Sequence, residues 1–163
     1  SKAALTQTIL KDTFDNVTVY DTPGLYQKGY LHEFLEYQDY KHLLPQTTFK
    51  PRNGRLQKND SIIIEGLVAV SVIKGETTSV LYASDMVKHH VTTDDKVLGL
   101  LNNRNVFKYN LGEYKFYEFS LKEDKKYQLT LADFGIITFT GPVTIKVYAN
   151  PNMHISVYES FMR

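Results

Sequence analysis

The five histidines, His32, His42, His89, His90 and His154, are the residues best suited to hold a metal or move a proton near neutral pH. His32-Glu33 begins like a zinc-protease helix, but that chemistry needs a second histidine four residues on, where Glu36 stands. A metal site joining His89 or His90 to Asp94 or Asp95 is conceivable, but adjacent polar residues in a loop are ordinarily just solvated. Glycoside hydrolysis needs two carboxylates facing each other across a cleft. Glu65, Asp85, Glu113, Glu118 and Asp133 are available, and their spacing marks none as a pair. Glu118, flanked by Tyr117 and Phe119, stands out most. A serine nucleophile would sit in a Gly-x-Ser-x-Gly elbow, which the chain lacks. With no cysteine there is no disulfide, thiolate metal site or cysteine nucleophile. The expectation is a protein that is not an enzyme, with no metal and no cofactor.

The segment Val17-Thr18-Val19-Tyr20-Asp21-Thr22-Pro23-Gly24-Leu25 resembles the Asp-x-x-Gly switch of GTPases, in which the Asp helps hold magnesium and the Gly amide meets the γ-phosphate. That resemblance covers nine residues. The phosphate-cradling Gly-x-x-x-x-Gly-Lys-Ser/Thr loop must precede such a switch, and it is missing here, as is the guanine-reading Asn-Lys-x-Asp. A strand closed by a Pro-Gly turn accounts for the segment.

Charge argues further. The 163 residues carry a net charge of +1. A nucleic-acid binder usually presents a basic face, so no nucleic acid is expected as a partner. The densest basic run, Lys50, Arg52, Arg55 and Lys58, is diluted by Pro51, Asn53 and Gly54 and reads as a solvated loop. No apolar run approaches the roughly 20 residues of a membrane helix. The chain has 12 Tyr and 9 Phe but no Trp. Tyrosine has a large apolar body and a polar tip, which suits half-buried strands and recognition surfaces alike. The aromatic stretch Tyr109, Tyr114, Phe116, Tyr117 and Phe119 reads as core packing, as a protein interface, or as a sugar-stacking platform; the lack of Trp weakens the last. Tyr26, Tyr30, Phe34, Tyr37, Tyr40, Tyr109, Tyr114 and Tyr117 are the candidate interface residues.

These side chains must be positioned by two unlike parts. Residues 1–60 read as an irregular N-terminal arm. Its first stretch, Ser1–Phe14, is ambiguous between helix and strand. Val17–Tyr20 is a short strand candidate. Gly29–Leu44 carries apolar residues at near-helical spacing, ends at Pro45, and predicts one amphipathic helix. Pro45–Asn59 reads as a linker or long loop. Residues 61–163 predict an antiparallel β-sandwich or barrel, with strands every 8–12 residues and turns between them. Ile62–Ile73 is a β-branched run in which Gly66 marks a bulge, and Lys74-Gly75-Glu76 a hairpin turn into Thr77–Tyr82. Thr93-Asp94-Asp95 caps a short helix carrying Val97, Leu98, Leu100 and Leu101.

The function expected is structural: a virion component such as a bacteriophage capsid, neck or tail protein. Its partners would be other subunits or further copies of itself, and it would reside in the virion after assembly in the host cytoplasm. A carbohydrate-binding module on the same sandwich is the alternative, with a glycan as ligand.

Overall fold

The computed structural model describes residues 10–14, 17–21, 28–45 and 50–160, the first two segments by their backbone alone. Among the described residues twelve strands follow in chain order: β1 (Leu10–Phe14), β2 (Val17–Asp21), β3 (Lys50–Leu56), β4 (Asp60–Ile64), β5 (Val68–Gly75), β6 (Thr77–Ala83), β7 (His89–Thr93), β8 (Lys115–Leu121), β9 (Lys126–Leu131), β10 (Gly135–Thr140), β11 (Val143–Ala149) and β12 (Ile155–Glu159). Two five-stranded antiparallel sheets make a sandwich rather than a closed barrel, ordered β12-β9-β10-β6-β3 and β7-β4-β5-β11-β8. β1 and β2 pair with each other in a separate two-stranded sheet.

The Ile62–Ile73 run is apolar without strict alternation because both faces of its strands are covered. Ile62, Ile64, Val68, Val70 and Val72 meet the opposite sheet in the main core. Ile63 and Ala69 face outward and are covered by Val97 and Leu101 of α1, the helix Asp94–Leu101. Gly66 forms a hairpin turn, not a bulge. Glu65 and Gly66 both have positive φ (54° and 71°), and the Leu67 amide donates to the Ile64 carbonyl. Three residues separate the paired Ile64 and Val68, and positive φ at the first two suits the twist of a hairpin. A Cβ at residue 66 would lie 2.6 Å from Phe107 Cβ, so the site needs glycine.

Lys74-Gly75-Glu76 is not a hairpin turn. β5 and β6 belong to different sheets, so the chain crosses the sandwich there. β6 finds its partners in β10 and β3. β3 is also a correction: Lys50–Leu56, expected in a linker, is an edge strand of the first sheet in register with Thr77–Ala83. Turn-forming residues can occupy an edge, where proline loses no ladder hydrogen bond on its solvent side.

The single amphipathic helix expected over Gly29–Leu44 is broken. Leu31–Glu33 is a 3-10 turn, and a four-residue helix covers Tyr37–Tyr40. Between them Glu36 is extended, with ψ 150°. Leu31, Tyr40, Leu43 and Leu44 are all buried in the main core. In a straight helix of about 100° per residue, Leu31 and Tyr40 would stand about 180° apart. The break at Glu36 lets both face inward. The segment is fastened at its start: the Gly29 carbonyl accepts from the His154 amide at 2.9 Å, and the Leu31 amide donates to Asp133 Oδ1 at 2.9 Å.

Candidate functional site

Each sheet ends in two edge strands, and the four edges differ. Arg52 on β3 donates to the carbonyls of Ser84 and Val87 at 2.7 and 2.5 Å, just ahead of β7. This places β3 and β7 on one flank of the sandwich. β8 and β12, the opposite ends of the two sheets, share the other flank, where Lys125 reaches Glu159 at 3.5 Å.

β8 is the candidate site. It runs seven residues, Lys-Phe-Tyr-Glu-Phe-Ser-Leu, and one of its long sides bonds to β11. Its other side presents backbone donors and acceptors at the end of the sheet, the arrangement that templates pairing with another strand. Cross-strand neighbours share a face. Tyr117 and Phe119, opposite the buried Val147 and Ile145, therefore face the sandwich interior, while Phe116 and Glu118, opposite Tyr148 and Lys146, face outward. Phe116 is 57% exposed, and Tyr117 is 39% exposed although it stands on the inner face. The interior is thus incompletely closed along this edge.

A polar cluster lies beside it on the outer face. Asp94 in the first turn of α1 accepts from Tyr148 Oη at 2.7 Å and from Lys146 Nζ at 3.3 Å. Lys146 Nζ also lies 4.9 Å from the Phe116 ring centroid and 5.1 Å from that of Tyr148. Burial alone would push the Asp94 carboxyl up, but the donors Tyr148, Ser71 and Lys146 together hold it below the usual aspartate range. The hydrogen bond with Tyr148 raises Lys146, against its desolvation, with Asp94 adding to the rise. Both groups stay charged at neutral pH. The pair fixes α1 to the sheet and holds a cation over an exposed ring.

The interface candidates divide. Tyr117 is exposed on β8, and Tyr37 is exposed on the short helix. Tyr40 and Tyr109, 5% and 7% exposed, are packed inside the chain and present almost no ring surface to a partner. Tyr114 is half-buried; its hydroxyl donates to the Gly66 carbonyl at 2.7 Å and fixes the entry to β8. Tyr30 packs edge-on against His154 at 5.9 Å, and Phe34 lies against the main core. Tyr26 lies outside the described residues. Phe116 was visible in the sequence as part of the aromatic stretch, yet nothing local marks it as the most exposed ring there. The Asp94–Lys146–Tyr148 cluster has no sequence signature, since α1 and β11 bring it together across some fifty residues.

The chemistry-bearing residues fall elsewhere. Asp94 turns to Lys146 and Tyr148, and Asp95 accepts from Thr93, so neither faces His89 or His90. Thr93 occupies the N-cap position of α1 without capping it through its side chain. His89 stands beside Arg52, with burial first and that guanidinium second lowering its pKa. Glu65 accepts from the Lys88 amide, and Glu118 is exposed. Burial raises the Asp133 carboxyl, against the Leu31 amide it accepts from. Among the described residues no three His, Asp or Glu side chains gather as metal ligands, and no helix is long and apolar enough to cross a membrane. No protein-family model and no curated protein matches the chain.

Proposed function

We propose that the protein is a non-enzymatic assembly component, a virion subunit of the capsid, neck or tail kind, and that it associates through the β8 edge. The supporting observation is the composition of that edge: seven residues long, free of proline, with Phe116 and Tyr117 exposed on opposite faces. A strand added there gains main-chain hydrogen bonds, and the two rings supply apolar area on either side. Light scattering across a concentration series tests the reading. The wild-type chain is expected to shift from monomer to oligomer, and Tyr117→Lys is expected to remain monomeric with an unchanged circular-dichroism spectrum. A wild-type chain that stays monomeric at every concentration counts against the proposal.

Phe116 supports a second reading. An exposed ring with Lys146 beside it and Glu118 on the same face offers a stacking surface and polar partners for a sugar. Glycan binding lost in Phe116→Ala, with self-association intact, would favour that reading.

A further inference from the structure

β1 and β2 form a two-stranded sheet hydrogen-bonded to neither five-stranded sheet. Such a ribbon is marginally stable in water and gains from a third strand. Among the described residues β8 has a strand partner on one side only, β11. We infer that β2 of one copy adds to the β8 edge of a second copy, so that the N-terminal hairpin is an arm exchanged between subunits. This rests on the proposed assembly role and names the occupant of its site.

One observation places the start of the arm, and a second selects β2 and sets its direction. The first is where the arm leaves the sandwich. Gly29, with φ +88°, is held against the turn after β11: its carbonyl accepts from the His154 amide, and a Cβ there would lie 2.7 Å from that nitrogen. The same turn supplies Asn150, whose side-chain amide donates to the Glu113 carbonyl at 3.2 Å, two residues before β8 begins. Lys115, the first residue of β8, pairs with Ala149. The arm therefore starts from the end of the sandwich where β8 starts. The eight steps from Asp21 to Gly29 span at most about 27 Å. That tether keeps β2 near the end of its own sandwich; its direction on the β8 of a second copy follows from the register.

The second observation is the match in register. With Asp21 opposite Lys115, Tyr20 falls opposite Phe116, Val19 opposite Tyr117, Thr18 opposite Glu118 and Val17 opposite Phe119. An acid and a lysine then share one register position, and Val19 and Val17 take the positions of the two inner-face rings, where β8 leaves the sandwich interior partly open. Shifting the register by one residue puts Asp21 opposite Phe116 and Val19 opposite Glu118, which loses both the charge pair and the apolar match. An exchanged arm makes a head-to-tail contact, which closes into a ring or continues as a filament according to the rotation between neighbours.

The chain has no cysteine, so introduced pairs report cleanly. Directly opposed residues of an antiparallel pair stand about 4.5–5.5 Å apart at Cα, within disulfide range. Full-length chains carrying Asp21→Cys or Lys115→Cys alone are co-expressed and oxidised. A covalent product joining one chain of each kind through residues 21 and 115 is expected. Thr18→Cys with Glu118→Cys should cross-link in the same way, and Thr18→Cys with Ser120→Cys should not. Absence of both in-register products overturns the inference, as does a cross-linked monomer as the only product when both cysteines sit on one chain. If the wild type oligomerises and Tyr117→Lys stops it while neither pair cross-links, the edge assembles but β2 is not its occupant. A wild type that never oligomerises removes both claims.

Discussion

The two flanks of the sandwich solve the same problem in opposite ways. Any open sheet leaves unpaired backbone at its ends, and a strand there invites pairing with another chain. On one flank β3 carries Pro51, Lys50, Arg52 and Arg55, and Arg52 closes over the carbonyls of Ser84 and Val87. Proline and positive charge both discourage edge pairing. On the other flank β8 is as long as β3, lacks proline, and exposes Phe116 and Tyr117. Length does not separate the two edges; the proline and two arginines of β3 do, since β8 carries only Lys115 among the guards, at its first residue. Under the proposed assembly role, an edge without these residues serves association and the guarded β3 edge limits how many directions assembly takes.

Removing the guard should have the largest effect. Arg52→Ala removes the guanidinium donor from the Val87 carbonyl and leaves the Ser84 carbonyl with the Val87 amide alone, and is expected to cost about 1–2 kcal/mol, read from the urea midpoint. It also opens β3 and β7 to pairing, so aggregation should rise with concentration. The acid response sharpens the comparison next. His89, beside Arg52, has a lowered folded-state pKa, so its contribution is full above the ordinary value of 6.5 and fades as the pH falls through the lowered one. Asp94, on the β8 side, is also lowered; its stabilisation is full above the ordinary value of 3.8 and is lost only as the pH drops through its folded value. Amide protection factors, which divide out the intrinsic exchange rate at each pH, should therefore fall on β3 and β7 at a higher pH than on α1. Asp94→Asn should cost about 1 kcal/mol at neutral pH and flatten the lower step.

The sequence made the sandwich legible where strands alternate, as in Val143, Ile145 and Val147, because one buried face imposes a period of two. The helix over Asp94–Leu101 was legible too, from its acidic start and apolar spacing. Pairing was not. Nothing near Lys74–Glu76 says whether the chain folds back in its own sheet or crosses to the other, since a tight glycine turn serves both. The broken segment before Pro45 had helical spacing, but burial of Leu31 and Tyr40 against one surface overrode it. Tyrosine count suggested recognition without saying which rings face out: Tyr40 and Tyr109 are as aromatic as Tyr117 and end inside. Exposure depends on where a strand falls in the sheet order, and only long-range pairing determines that.

The smallest expected effect on the folded monomer, and the most direct probe of the β8 edge, is Phe116→Lys. Its ring lies outward, more than half in solvent, so little buried area is lost. Lys146 loses its contact with that ring, worth about 0.5 kcal/mol at an exposed site. The new ammonium stands opposite Tyr148 and near Lys146, and the repulsion is screened by solvent and partly offset by Asp94. A change of about 0.5 kcal/mol or less in unfolding free energy is expected. Association should respond far more strongly, because a lysine on an edge is the same guard that β3 carries. A chain that keeps its stability and loses its oligomers would tie the difference between the flanks to edge chemistry; oligomers that persist unchanged would move the contact surface away from β8.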